Sequence, residues 1–334
     1  MREKRKKRKK WTLILSTLAF SLFCLNVFLL LFFGTPMKRP DIMDPNRTEN
    51  RQEITDNTKK TAEDGTEDKP ESFSDPSYDT VSEEGDDSLA STDTGLAGKP
   101  GVYVRDIPIA LDEEMDKHLA EFRRKAKRLQ QNYPDSFLIS MPTTEKTVAL
   151  TFDDGPDDSS TPQVIEILNS YRVPGTFFFI GQQMDRYPET VEAARTGSHV
   201  IANHSWSHIR PTDASMDAFL KEVQRTRDAL SRYGAKTGLF RPPYGLVNEE
   251  QMPALIEAGF KTVAWSIDSM DWYFDNPDDI VTCVVKNIHP GAIVLMHSSG
   301  GPANRQATIE SLPIIIEILR VKGYHFVTLT DQTN

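Results

Sequence analysis

Apolar positions fall along this chain in three patterns. The first is unbroken: residues 11–34 run for 24 positions without a charge, long enough to cross the roughly 30 Å hydrocarbon core of a bilayer as a helix. The second has a helical period. Leu111, Met115, Leu119, Phe122 and Leu129 recur three, four or seven positions apart among charged residues, which predicts an amphipathic helix over 111–132. Tyr133-Pro134 ends it. The repeat is too short for a coiled coil, so this helix is expected to pack on whatever follows. The third pattern is a series of short apolar runs at 147–152, 176–180, 200–203, 238–241, 262–267, 292–297 and 325–329, separated by helical stretches. One helix is predicted over 162–170, with Ser160 and Thr161 as cap and Pro162 in its first turn; another spans 216–233 and is closed by Gly234. Seven β/α repeats of this kind predict a parallel sheet closed into a barrel.

Charge divides the chain in the same places. Residues 2–10 hold eight basic side chains against Glu3, and a basic head beside an apolar span stays in the cytoplasm, which puts everything after about residue 35 outside. A cleaved signal peptide would need a shorter apolar core, roughly 7–15 residues, and a small-residue cleavage site. Here the run ends in Leu29-Leu30-Leu31-Phe32-Phe33, so an uncleaved single-pass anchor in the cell membrane is expected. Direct attachment to the span also excludes nucleic acid as the partner of the basic cluster. Residues 38–99 carry 17 acidic and eight basic side chains, with Phe73 and Tyr78 as their only aromatics. Such a segment cannot offset its chain entropy by burial and is expected to be a disordered tether reaching roughly 45 Å. The organisation read from the sequence is therefore a head at 1–10, an anchor at 11–34, an acidic linker at 35–100, a helix and connection at 101–142 and a main domain at 143–334. Cys24 lies in the span and Cys283 in the main domain, so no disulfide is predicted, and Cys283 reads as a buried structural thiol.

The chemistry lies at the ends of the apolar runs. Thr151-Phe152-Asp153-Asp154-Gly155-Pro156 sets two carboxylates where a strand gives way to a turn. Asp-Gly alone is ordinary turn chemistry. Asn203-His204-Ser205-Trp206-Ser207-His208 changes its weight by adding two imidazoles at i and i+4, expected on one side of a helical turn. One carboxylate and two histidines make a three-ligand metal site with an open position, and the second carboxylate is then free to act as a base on water. Arg241-Pro242-Pro243-Tyr244-Gly245 places a permanent cation at the same rim, expected to pair with and aim Asp153, while the Tyr244 amide donates to a developing oxyanion. Asp268-Ser269-Met270-Asp271-Trp272 and Leu295-Met296-His297 complete the set. Asp271 can orient His297 as an acid, with Trp272 and Leu295 as apolar walls. His118, His199, His289 and His325 lie away from these segments and read as structural or surface groups.

Taken in order, these five segments resemble the polysaccharide deacetylases of carbohydrate esterase family four, the NodB-homology domain, over about residues 143–331. The resemblance implies a distorted (β/α)7 barrel of the α/β class that removes acetyl groups from N-acetylated amino sugars. It implies Asp153 as base, Asp154, His204 and His208 as ligands of a divalent metal, zinc first, Arg241 as the group orienting the base, and Asp271 tuning His297 as acid. Tyr244 would complete the oxyanion site, and Trp272 and Leu295 would face the acetate methyl. A sporulation branch of the family has asparagine at the position of Asp154, and this chain does not. An anchored enzyme on a long tether suits an immobile wall polymer, so peptidoglycan is the expected substrate, ahead of chitin, an exopolysaccharide or acetylated xylan. A wall-glycan-binding pseudoenzyme is the non-enzymatic alternative.

Overall fold

A computed structural model of the chain describes residues 104–301 and 305–330. The head, anchor and acidic linker expected at 1–100 lie outside the described residues. Among the described residues no helix is long and apolar enough to cross a membrane.

The strands are β1 (Phe137–Leu138), β2 (Thr147–Asp153), β3 (Thr176–Phe179), β4 (Val200–Asn203), β5 (Leu239–Phe240), β6 (Lys261–Val263), β7 (Ile267–Asp268), β8 (Ala292–His297) and β9 (His325–Phe326). They form one sheet in the order β1-β6-β5-β4-β3-β2-β8-β7, with β9 beside the start of β2, and all pairings are parallel. Longer helices cover it: α1 (Glu113–Asn132), α2 (Ser160–Tyr171), α3 (Gly181–Arg186), α4 (Pro188–Thr196), α5 (Met216–Arg232), α6 (Gln251–Glu257), α7 (Pro277–Asn287) and α8 (Gln306–Val321).

β2 is apolar at successive positions because both of its faces are buried, as parallel strands require. Val148, Leu150 and Phe152 point outward into a cluster with Val164 and Leu168 of α2 and Leu312, Ile315 and Ile316 of α8. Ala149 belongs to a second cluster on the other face, with Phe178, Ala202, Ile293 and Leu295. A strand alternates faces residue by residue. Continuing the parity of Ala149, Ala202, Leu239 and Leu295 brings Asp153, His204, Arg241 and His297 to that same inner face, at the carboxyl ends of their strands.

The apolar run 262–267, expected as one strand, is two strands far apart in the sheet path, β6 beside the edge strand β1 and β7 at the other edge. The interruption has a cause: the guanidinium of Arg241 donates to the carbonyls of Val263 and Ala264, at 3.2 and 3.1 Å, in place of a neighbouring strand. The chain then turns to β8, where the Ser266 amide donates to the Ile293 carbonyl. The expected barrel is thus a curled parallel sheet in which three residues of chain lead from β6, next to the edge strand β1, to β7 at the other edge. Segment 101–142 contributes β1 to the sheet, and its helix α1, capped by Asp112, packs Leu119 against Met270 and Cys283 and stacks Phe122 on Trp265 at 4.6 Å. The cap of α2 also differs from expectation. The carboxylate of Asp157 accepts the amides of Ser159, Ser160 and Thr161, leaving Ser160 and Thr161 inside the helix.

Candidate active site

Asp153, at the end of β2, is 3% exposed. Its Oδ1 accepts from Arg241 Nη1 at 2.8 Å, and the same nitrogen lies 2.8 Å from Thr151 Oγ1. The arginine is fully buried, its guanidinium 4.2 Å from the centre of the Phe178 ring. A charge so enclosed is tolerated because nearly every donor has a partner; burial lowers the Arg241 pKa and the Asp153 carboxylate counteracts part of that.

The next residue takes a different backbone course. Asp154 has φ 70°, a left-handed conformation that turns its carboxylate out of the strand's alternation and towards the rim. Its Oδ1 lies 3.4 Å from His204 Nε2 and 3.3 Å from His208 Nε2. That oxygen is buried and has no hydrogen-bond partner. Ligand atoms of the three residues all lie within 4.8 Å of one another, the one such group of three among the described residues.

The two imidazoles do not meet on a helical turn, contrary to expectation. Residues 204–208 form an irregular loop after β4, with Ser205 and His208 at φ 64° and 58°. Side chains hold that loop in place of a helical ladder. Asn203 Oδ1 accepts the Ser205 amide, Ser205 Oγ the His208 amide, and Glu222 of α5 the amides of Trp206 and Ser207 together with the Ser207 hydroxyl. His204 Nδ1 stands 2.8 Å from the Arg241 carbonyl. A carbonyl only accepts, so Nδ1 carries the proton and the Nε2 lone pair faces Asp154.

On the neighbouring strand His297 sits opposite Asp153 in register. Its Nδ1 is 2.7 Å from Asp271 Oδ1, and its amide donates to Asp271 Oδ2 at 2.8 Å. Thr308 of α8 donates to that second oxygen. Burial would lower the His297 pKa, yet the Asp271 carboxylate overrides it and raises the group, while Asp271, pushed up by burial, is brought down by His297. Asp268, one strand position after Ile267, is buried, accepts from the Met270 amide and from Trp272 Nε1, and is pushed by burial up to about 6.

Tyr244 is left-handed, at φ 59°, and is 49% exposed, its ring beside His208 and the Arg210 guanidinium, at 4.8 and 5.2 Å. Leu295 is buried on β8 and Trp272 half-buried beyond β7. Asp153, Asp154, His204, His208, Arg241, Tyr244, Asp271 and His297 thus lie at or just beyond strand ends, Trp272 follows Asp271, and Leu295 lies two residues inside β8. The remaining histidines are not among them: His199 accepts the Gly175 amide behind β3 and is pushed down to about 4 by burial. Cys283 is buried and its thiol is pushed up to about 12. Sequence reasoning missed Glu222, Asn203, Thr308 and Arg305. Asn203 stood beside the first histidine as a usable signal. For the other three the sequence offers none.

A family model described as polysaccharide deacetylase matches residues 140–263. A peptidoglycan-N-acetylglucosamine deacetylase of Bacillus cereus is 36% identical over 198 residues, covering 59% of this chain and 72% of that protein. The chain belongs to the polysaccharide deacetylase family. This chain is a polysaccharide deacetylase, a hydrolase of carbohydrate esterase family four. A peptidoglycan-N-acetylmuramic acid deacetylase of Bacillus subtilis is 30% identical over 241 residues, covering 69% of this chain and half, 50%, of that protein. The crystal structure of a peptidoglycan N-acetylglucosamine deacetylase in complex with an N-oxidanyl-benzamide superposes with a TM-score of 0.57 at 34% identity, covering 60% of this chain and 94% of that one.

Proposed function

We propose that this chain is a metal-dependent N-deacetylase acting on the N-acetylglucosamine residues of peptidoglycan, held outside the cytoplasm by an anchor at 11–34 and an acidic tether at 35–100. One observation carries the reading: a carboxylate gripped by a buried arginine, a carboxylate oxygen without a partner facing two imidazoles, and an imidazole held by a third carboxylate all converge on one rim. Amide hydrolysis needs a base, an electrophilic seat and an acid, and these groups supply them.

The donor set fits a divalent cation. The His204 Nε2 lone pair, the His208 Nε2 and an unpartnered carboxylate oxygen are directed at one small space, and one aspartate with two histidines is a set that zinc accepts. When bound by Asp154, His204 and His208, such an ion supplies Lewis-acid polarisation of the acetamide carbonyl and a more acidic attacking water. Asp153 takes the proton of that water. Arg241 occupies its Oδ1, which leaves Oδ2, 3.8 Å from His204 Nε2, for the reaction. His297 delivers a proton to the departing amine from Nε2, its Nδ1 being engaged with Asp271. The Tyr244 amide donates to the oxyanion, and Trp272 and Leu295 border the acetyl methyl. Acetate and a free amino sugar result.

Two relatives carry peptidoglycan in their names but differ in the sugar, N-acetylglucosamine in one and N-acetylmuramic acid in the other. The full chain should release acetate from purified peptidoglycan, and mass spectrometry of the digested product should show the loss on N-acetylglucosamine. Loss on N-acetylmuramic acid, or release only from chitin oligomers or acetylated xylan, would replace the proposed substrate. Release should cease on chelation and return with Zn²⁺, and Asp153→Asn should lower it roughly 10²–10⁴-fold. Undiminished turnover after chelation would refute the metal role, and no acetate from any polymer would favour the pseudoenzyme.

A further inference from the structure

Arg305, just before α8, belongs to none of the segments that identify the family, yet it is 5% exposed and its guanidinium is turned into the site. Each of its three nitrogens is directed at a different loop. Nε donates to the Ser299 carbonyl at 2.9 Å, behind His297. Nη1 donates to the Asp271 carbonyl at 3.1 Å, on the residue whose carboxylate holds His297. Nη2 lies 3.6 Å from Asp154 Oδ2.

That third contact divides the Asp154 carboxylate. Oδ2 faces the arginine, whereas Oδ1 faces the two histidines and has no hydrogen-bond partner. A carboxylate free to rotate would exchange its oxygens. One with a cation on a single side has a preferred face, and a planar fork fixed at its other two prongs is a rigid way to supply that cation. The fork is itself constrained. Arg305 is left-handed, at φ 57°, and a Cβ added at Gly301 would come within 2.5 Å of the Arg305 Cζ, so the guanidinium fills a space that only glycine leaves open.

We propose that Arg305 is a positioning residue for the metal site: it presents one oxygen of Asp154 to the cation and ties that ligand to the loops carrying Asp271 and His297. The inference rests on the metal reading above. It concerns how the ligand is aimed and not which residues bind.

Zinc affinity of the full chain, measured by competition with a chromophoric chelator, tests it without recourse to turnover. Arg305→Met should weaken Zn²⁺ binding at least tenfold, within the range usual for groups that orient a ligand. Arg305→Lys keeps a charge but cannot reach three partners, and its affinity should stay nearer the methionine variant than wild type. Gly301→Ala keeps the arginine and pushes the fork aside, so it should weaken binding in the same direction; it decides the matter if the Arg305 variants do not fold. A purely electrostatic role predicts the opposite sign, because removing a nearby cation should tighten Zn²⁺ binding. Affinity that is tighter, unchanged within twofold, or fully restored by lysine overturns the proposal. If wild type itself binds no zinc, the metal reading falls and takes this inference with it.

Discussion

At His297 two influences oppose each other. Burial favours the neutral imidazole, and the Asp271 carboxylate 2.7 Å away favours the cation and prevails. A histidine whose folded pKa is raised stays protonated above its ordinary 6.5, so an acid role places the alkaline fall of kcat/KM above that value. Replacing Asp271 by asparagine removes the favourable charge and leaves burial in control. The alkaline limb of the Asp271→Asn profile should therefore move to lower pH, and a limb that stays put would remove His297 as the acid. This pairing was legible in sequence because Asp271 and His297 each sit at a strand end in a recognisable segment. Arg305 and Thr308 complete the same cluster from the start of α8. Nothing in their neighbours' polarity marks them, since one arginine just before an apolar helix and one threonine in its first turn look like ordinary surface residues.

The loop 204–208 shows what an element can owe to a partner far away in sequence. Spacing of i and i+4 suggested a helix, but two left-handed residues fold these positions into a turn with no ladder of its own. Two of its amides, those of Trp206 and Ser207, are instead satisfied by Glu222, which belongs to α5. Unsatisfied buried amides cost about 1–3 kcal/mol each, so Glu222→Ala should loosen the loop and carry His208 away from Asp154. The expected outcome is roughly 10–100-fold weaker zinc binding with less effect on overall stability, read by chelator competition beside a thermal melt. Glu222→Gln retains one acceptor oxygen and should recover part of the affinity. Retention of full affinity by the alanine variant would show that the loop holds itself. A similar dependence breaks the run 262–267 into β6 and β7, where Arg241 takes carbonyls that a continuous strand would have paired. Apolar periodicity reports which residues are buried; it carries no information on which backbone groups a distant side chain will claim.

For the molecule as a whole, the proposed anchor is testable by itself. The full chain should sediment with membranes and resist extraction by high salt, because an apolar helix is not held by charge, while deletion of residues 1–34 should release a soluble protein that still deacetylates peptidoglycan fragments. Release of the full chain by salt alone would point to the basic head as the only membrane contact. What the sequence by itself determined is the kind of fold and where the candidate site lies: the apolar runs define a parallel α/β sheet, and the groups proposed as base, ligand set and acid sit at their ends, since alternation along a strand is local and the strand-end residues inherit it. Only the tertiary structure decided how the sheet curls, that Asp154 leaves the strand in a left-handed turn, and that Glu222, Thr308 and Arg305 hold the rim. Those outcomes depend on contacts between residues tens to more than a hundred positions apart, and a pattern read along the chain cannot contain them.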